Sequence, residues 1–185
     1  LTPGYSVYGE RLIDFGGKEY RTWDPYRSKL AAAVFKGIKD IPIKRGHRVL
    51  DLGAAHGTTA SHISDIVGER GKVFCIDIAE RVIRDLIFVC EKKKNMMPLL
   101  ADASHPQNYE GLVGGLCDFI YQDVAAPNQV EILIRNSETF LKKGDYAMVA
   151  LKARSIDVAA KPSDVFKESE QELKKIGEEA NKIVN

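Results

Sequence analysis

From residue 47 onward, short Val/Ile/Leu-rich runs alternate with segments of helical length, and this rhythm limits the fold more than any other property of the chain. The runs fall at 48–52, 72–76, 97–101, 119–121 and 146–151. Between them, Ile78, Val82, Leu86 and Val89, and later Val130, Leu133, Ser137 and Phe140, recur with helical spacing. Strand–helix alternation requires parallel strands joined by right-handed crossovers, so an α/β, Rossmann-like layered sheet is expected. With 185 residues, 44% of them hydrophobic, there is apolar material for a single buried core.

Ahead of the alternation, residues 5–22 read as two β-prone runs around Gly16-Gly17, a small N-terminal hairpin. Asp24 and Pro25 are expected to supply the cap and first turn of a helix over 28–37 that turns Leu30, Val34 and Ile38 to the core. The expected division is therefore a hairpin region, 1–24, and a cofactor-binding sheet domain, 25–185. The last helix, 167–182, carries Glu170 to Lys174 and Glu178 to Lys182 at supporting spacing and reads as a solvated face. A doubly wound sheet often adds strands after such a helix, which points to a C-terminal piece beyond this sequence, and the missing initiator Met suggests an N-terminus that is trimmed or incompletely represented.

Charge and cysteine content remove several classes of function. Lys+Arg 27 against Asp+Glu 26 leaves a formal charge of +1, so nucleic-acid contact has to come from local patches or from a partner. The longest apolar stretches are far shorter than the roughly 20 residues of a membrane span, and no secretory signal is visible. Cys75, Cys90 and Cys117 include no close pair, which argues against a disulfide framework and a zinc site and favours a reducing, cytoplasmic setting. No arrangement of His, Cys and Asp suggests a metal.

The first parallel strand runs into Gly53-Ala54-Ala55-His56-Gly57-Thr58-Thr59 and then a helix over 60–67, an order that places backbone N–H groups and a positive helix end at the mouth of the sheet. A triphosphate loop needs four residues between its glycines and a following Lys, whereas this loop has three and no Lys. A dinucleotide fold needs a middle glycine where Ala55 stands, which disfavours NAD. Ligands in open α/β sheets bind beyond the carboxyl ends of the strands, and here the later strands end at Asp77, Asp102, Asp123 and Lys152. Asp77 lies at the distance from the loop expected of a ribose-binding acid, and Asp102 with Ala103 suits an adenine edge, the rival being a cap for the helix after Pro106. A positively charged sulfonium welcomes acids on this rim and needs no anion clamp. The features together describe a class I S-adenosylmethionine-binding domain better than any other nucleotide fold.

Four segments carry a closer resemblance: Tyr-Arg-Thr-Trp-Asp-Pro-Tyr-Arg-Ser-Lys-Leu-Ala-Ala-Ala at 20–33, Gly-Thr-Thr-Ala-Ser-His-Ile-Ser-Asp-Ile-Val-Gly at 57–68, Asp-Val-Ala-Ala-Pro-Asn-Gln at 123–129 and Lys-Ala-Arg-Ser-Ile-Asp at 152–157. In these the chain resembles the fibrillarin family, the 2′-O-methyltransferases of archaeal and eukaryotic guide-RNA particles, and its layout is similar to archaeal members. Gly53, Ala54 and Gly57 are expected at the cofactor site from the strand, glycine-turn and helix order, and the resemblance implies that Thr58, Thr59, Asp77, Ile78, Asp102, Ala103, Asp123 and Gln129 serve the S-adenosylmethionine site, Thr58 and Thr59 at the methionine end. It implies a catalytic group of Lys29, Asp123 and Lys152. A ribose hydroxyl is a poor nucleophile until a positioned group takes its proton, so Lys152 is expected as base, Lys29 as its electrostatic partner and Asp123 as the group that orients it. Implied partners are box C/D guide RNA, target RNA, a Nop-type scaffold protein and a kink-turn-binding protein.

The chain departs from that family's pattern at several places. Asp51 stands where Tyr is usual, His56 where Ser is usual, and Asp77-Ile78 where Glu-Phe is usual, and the sequence stops before a strand pair that in the family bears a His near the active site. Elsewhere, His62 is expected on the first crossover helix in a core or partner-facing role, His47 and His105 in loops, and Lys92-Lys93-Lys94 at a solvated helix end. Arg27, Lys29, Lys152 and Arg154 form the candidate RNA-facing group. The expected activity is guide-RNA-directed ribose 2′-O-methylation. The alternatives are a noncatalytic assembly subunit, an independent small-molecule O-methyltransferase and, last, an NAD oxidoreductase.

Overall fold

The N-terminal hairpin forms where the glycine pair predicts it. In the computed structural model, which describes residues 2–177, β1 (Leu12–Phe15) pairs antiparallel with β2 (Lys18–Arg21) across Gly16 and Gly17. α1 (Lys29–Phe35) follows, but Asp24 does not cap it. Asp24 closes the preceding turn, accepting from the Tyr26 N–H at 2.8 Å, and Ser28 is the cap, its hydroxyl accepting from Ala31 N. Leu30 and Ala31 are the buried face of this short helix; Val34, expected inside, is 42% exposed because α1 ends one residue later, and Ile38 packs on the core from beyond the helix.

The expected alternation is realised as β3 (Arg48–Leu52), α2 (Thr58–Val67), β4 (Lys72–Asp77), α3 (Glu80–Lys92), β5 (Met96–Leu100), α4 (Glu110–Val113), β6 (Cys117–Gln122), α5 (Gln129–Phe140), β7 (Leu141–Val149), α6 (Ala153–Ile156) and α7 (Pro162–Gly177). The five strands from β3 onward make one parallel sheet in the order β5-β4-β3-β6-β7. β7 starts earlier than its apolar run, because an edge strand tolerates the exposed Lys143 and Gly144.

Side chains alternate across this sheet as a period of two demands. Val49, Val73, Cys75, Phe119 and Tyr121 pack with α1, α2 and α3 through Leu30, Ile63, Leu86 and Val89. Leu50, Phe74, Ile76 and Ile120 pack on the other face with Tyr109, Leu133, Phe140 and Leu173. α7 is thus more than a solvated face: Val165, Ser169 and Leu173 are buried at helical spacing, while Glu170 and Lys174 pair on the outer side at 2.5 Å. The second expected pair, Glu178 with Lys182, lies outside the described residues.

The Lys92-Lys93-Lys94 expectation also needs correction. Lys93 is 1% exposed and its Nζ lies 2.6 Å from Asp65 on α2. Arg21 from β2 reaches the same carboxylate at 2.8 Å and Glu10 at 2.5 Å, so a buried ionic network fastens the hairpin to the sheet domain. His62 is a core residue, stacked on Trp23 with ring centroids 4.9 Å apart and bonded through Nε2 to the Tyr8 hydroxyl at 2.8 Å. Burial lowers its pKa to about 4.

Candidate functional site

All five parallel strands end on one rim, and the loops after β3 and β6 diverge to opposite sides there, making the topological switch point of the sheet. Two cavities meet at this point and share Gly53, Ala55 and Asp123. The larger, about 480 Å³, lies over β4, β5 and β6 and is lined by Asp77, Ile78, Asp102, Ala103 and Lys152. The smaller, about 240 Å³, lies at the start of α2 and is lined by Arg27, Asp51, Ala54, His56, Thr58, Thr59 and Tyr121.

The loop between them is held by close backbone approach. Gly53 has φ +82°, and a Cβ there would come within 2.7 Å of the Asp123 carbonyl oxygen, so the loop after β3 rests directly on the loop after β6. Gly57, also at φ +82°, opens α2, and a Cβ on it would meet Leu86 at 2.7 Å. Ala55 takes φ 48°, a left-handed conformation costing a non-glycine residue roughly 1–2 kcal/mol. Its N–H donates to Asp77 Oδ2 at 2.9 Å, which fixes the strained residue against the end of β4.

Asp77 accepts a second backbone N–H, from Ala79 at 3.0 Å, and retains acceptor capacity on both oxygens toward the larger cavity. Ile78 is 67% exposed and offers that cavity an apolar wall. Asp102 caps no helix: Oδ1 accepts from Ser104 N at 2.8 Å, and this bond lowers its pKa. The Ala103 carbonyl is held by Asn136 at 2.8 Å. A flat nucleoside with ribose hydroxyls fits this set: acceptors at one end, an apolar wall, and a polar turn at the far side. Thr59 bonds to the Ser28 hydroxyl at 2.9 Å, joining the start of α2 to the start of α1.

Between the cavities, Asp123 gathers two ammonium groups. Lys29 Nζ donates to both carboxylate oxygens at 2.8 and 2.7 Å. Lys152 Nζ lies 2.8 Å from Oδ1 and also donates to the Asp123 carbonyl at 2.8 Å. Gln129 is fully buried and lines neither cavity; its side chain accepts from Lys152 N at 2.9 Å and donates to the Lys152 carbonyl at 3.2 Å. It therefore positions the Lys152 backbone. His56 leans outward, 3.4 Å from Asp85 on α3.

Sequence reading missed one member of the site. Asp51 is 1% exposed, lines the smaller cavity, and neither of its carboxylate oxygens has a hydrogen-bond partner. Burial, then the nearby Asp123 and Asp77 charges, raise its pKa to about 8. The signal was present: a carboxylate within the apolar run Val49-Leu50-Asp51-Leu52 has to be paired, neutral or functional.

Comparison with known proteins adds to this geometry. The family model described as Fibrillarin matches residues 1–185. The fibrillarin-like rRNA/tRNA 2′-O-methyltransferase of Methanopyrus kandleri is 49% identical over 185 residues, covering all of this chain and 79% of its own length. Among solved structures, Aeropyrum pernix fibrillarin in complex with natively bound S-adenosyl-L-methionine superimposes with a TM-score of 0.86 at 48% identity, over 95% of this chain and 76% of that one. A fibrillarin/Nop5p complex matches at 0.85 and 44% identity, over 94% of this chain and 79% of that one.

Proposed function

The chain belongs to the fibrillarin family, and from that membership we propose that it transfers a methyl group from S-adenosylmethionine to a ribose 2′-hydroxyl of rRNA or tRNA, as the catalytic subunit of a box C/D guide-RNA particle. One observation carries the chemistry: Asp123 fixes Lys29 and Lys152 where the two cavities meet. The larger cavity holds the adenosine end, with Asp77 accepting from the ribose hydroxyls and Ile78, Asp102 and Ala103 around the base. The smaller holds the methionine end at Thr58 and Thr59, against the start of α2. The bound cofactor supplies an electrophilic methyl carbon on a sulfonium.

The protein's own groups supply position and proton transfer. Lys152 engages Asp123 through two contacts, leaving one nitrogen position for the target hydroxyl, and it is the group assigned to take that proton. Gln129 holds its backbone, and Lys29 shares its carboxylate and keeps the group cationic toward the RNA backbone. Arg27 and Arg154 are both exposed and are assigned to the same basic edge, and the Tyr26 ring, next to Arg27 in the chain, is 97% exposed and available for stacking on a base. A net charge of +1 leaves capture of a long RNA to partners. Those proposed are the guide RNA, a Nop-type scaffold and a kink-turn-binding protein, in a cytoplasmic particle.

The test is a reconstituted particle given isotopically labelled methyl donor and a guided target. Label at the guided ribose is expected, and Lys152→Ala is expected to reduce its rate by about 100-fold or more while S-adenosylhomocysteine still binds. Absence of guided methylation supports a noncatalytic assembly subunit, and an undiminished Lys152→Ala variant removes Lys152 from the chemistry.

A further inference from the structure

Gln122, the last residue of β6, is fully buried and lines neither cavity. Its side-chain nitrogen donates to the Gln129 carbonyl at 2.7 Å, while its side-chain oxygen, also buried, has no hydrogen-bond partner. Gln129 opens α5, so its carbonyl has a helical partner one turn on without this bond. A methionine of similar length would fill the space and leave no orphaned acceptor. Packing therefore gives no reason for a glutamine at this position.

The groups it ties together do give one. Next in the chain is Asp123, which holds both ammonium groups. The Gln122 carbonyl accepts from Ala150 N at 2.8 Å, two residues before Lys152. Its side chain fixes the first residue of α5, and from there the Gln129 amide closes on the Lys152 peptide from both sides, accepting its N–H at 2.9 Å and donating to its carbonyl at 3.2 Å. The same amide nitrogen donates to the Ala126 carbonyl at 2.8 Å, so the loop after β6 is held as well. We propose that Gln122 is a positioning residue for methyl transfer, acting through Gln129 to set the Lys152 main chain against Asp123, an inference that rests on the methyltransferase reading above.

A double-mutant cycle of Gln122→Met and Gln129→Met tests this, with three readouts: single-turnover methylation in the reconstituted particle, S-adenosylhomocysteine affinity, and exchange of the Lys152 amide proton. Gln122→Met is expected to slow transfer about 10-fold, to leave S-adenosylhomocysteine affinity within about 2-fold and to speed exchange at Lys152 about 10-fold. Its urea midpoint is expected to be no lower than that of the wild-type protein, because the orphaned oxygen is gone. In the Gln129→Met background it is expected to change the rate by less than about 2-fold, since the amide it acts through is absent. Multiplying rate losses in the double variant, or an undiminished rate in Gln122→Met, overturns the proposal. So does a rate that falls in step with cofactor affinity or with the urea midpoint, or a variant that fails to fold, because Gln122 then supports the core and not Lys152 in particular. A wild-type particle that transfers no methyl overturns the methyltransferase reading instead, and the Lys152 amide still decides the placement: faster exchange in Gln122→Met upholds it, and equal exchange refutes it.

Discussion

At His62 the imidazole is buried between Trp23 and Tyr8, and its pKa falls from an ordinary 6.5 to about 4. The unfolded chain binds the proton more readily, so the stability contributed is complete above pH 6.5 and is lost as pH falls toward 4, by up to about 3 kcal/mol. Urea titrations across that window should show the slope in the natural protein and a flatter one in His62→Phe. Asp51 has the opposite sign. Its pKa rises from 3.8 to about 8, so its burial costs nothing at the acid end and progressively more as pH rises through 8. Asp51→Asn is therefore expected to raise the melting temperature of the ligand-free protein at pH 9 and to leave it nearly unchanged at pH 4. Thermal scans at the two values, where an equal shift at both would contradict the assignment, check this. Lys29 and Lys152 were legible as candidates from family motifs, but the isolation of Asp51 was not, because sequence shows which residue is acidic and not whether anything donates to it.

Among the elements, the two glycines flanking Ala55 differ in what confines them. A methyl group at Gly53 meets the backbone of Asp123, which cannot swing aside, whereas at Gly57 it meets the end of the Leu86 side chain, which can. Gly53→Ala is expected to cost about 2–5 kcal/mol and Gly57→Ala less, with the order read from denaturation midpoints at unchanged slope. The strands were readable because both faces of the sheet are covered and their cores are apolar runs, as at Val73 to Ile76. The start of β7 was not, since Lys142, Lys143 and Gly144 carry no such pattern at an edge. The α1 cap was misplaced because Asp24 and Ser28 are both good caps, and the choice between them depends on the turn that Asp24 closes with Tyr26.

At the scale of the molecule, the hairpin and the sheet domain are joined through Arg21, whose side chain is 9% exposed and bonds Glu10, Asp65 and Ser61. Arg21→Ala is expected to destabilise by about 3 kcal/mol or more, since it strips a buried cation from acids that remain. Hydrogen exchange should show the amides of Leu12 to Arg21 losing protection before those of β3 and β6. This junction was invisible in the sequence, where Lys93 reads as one of three consecutive surface lysines and nothing marks Asp65 as its partner. The parallel pairing of the strands, by contrast, followed from their alternation with helices, while their order in the sheet did not. The seat of Gly53 on the Asp123 carbonyl has one more effect, because that same oxygen receives Lys152 Nζ. The anchor for that long, flexible amine is therefore main chain pressed on main chain, so thermal wandering of side chains does little to displace it.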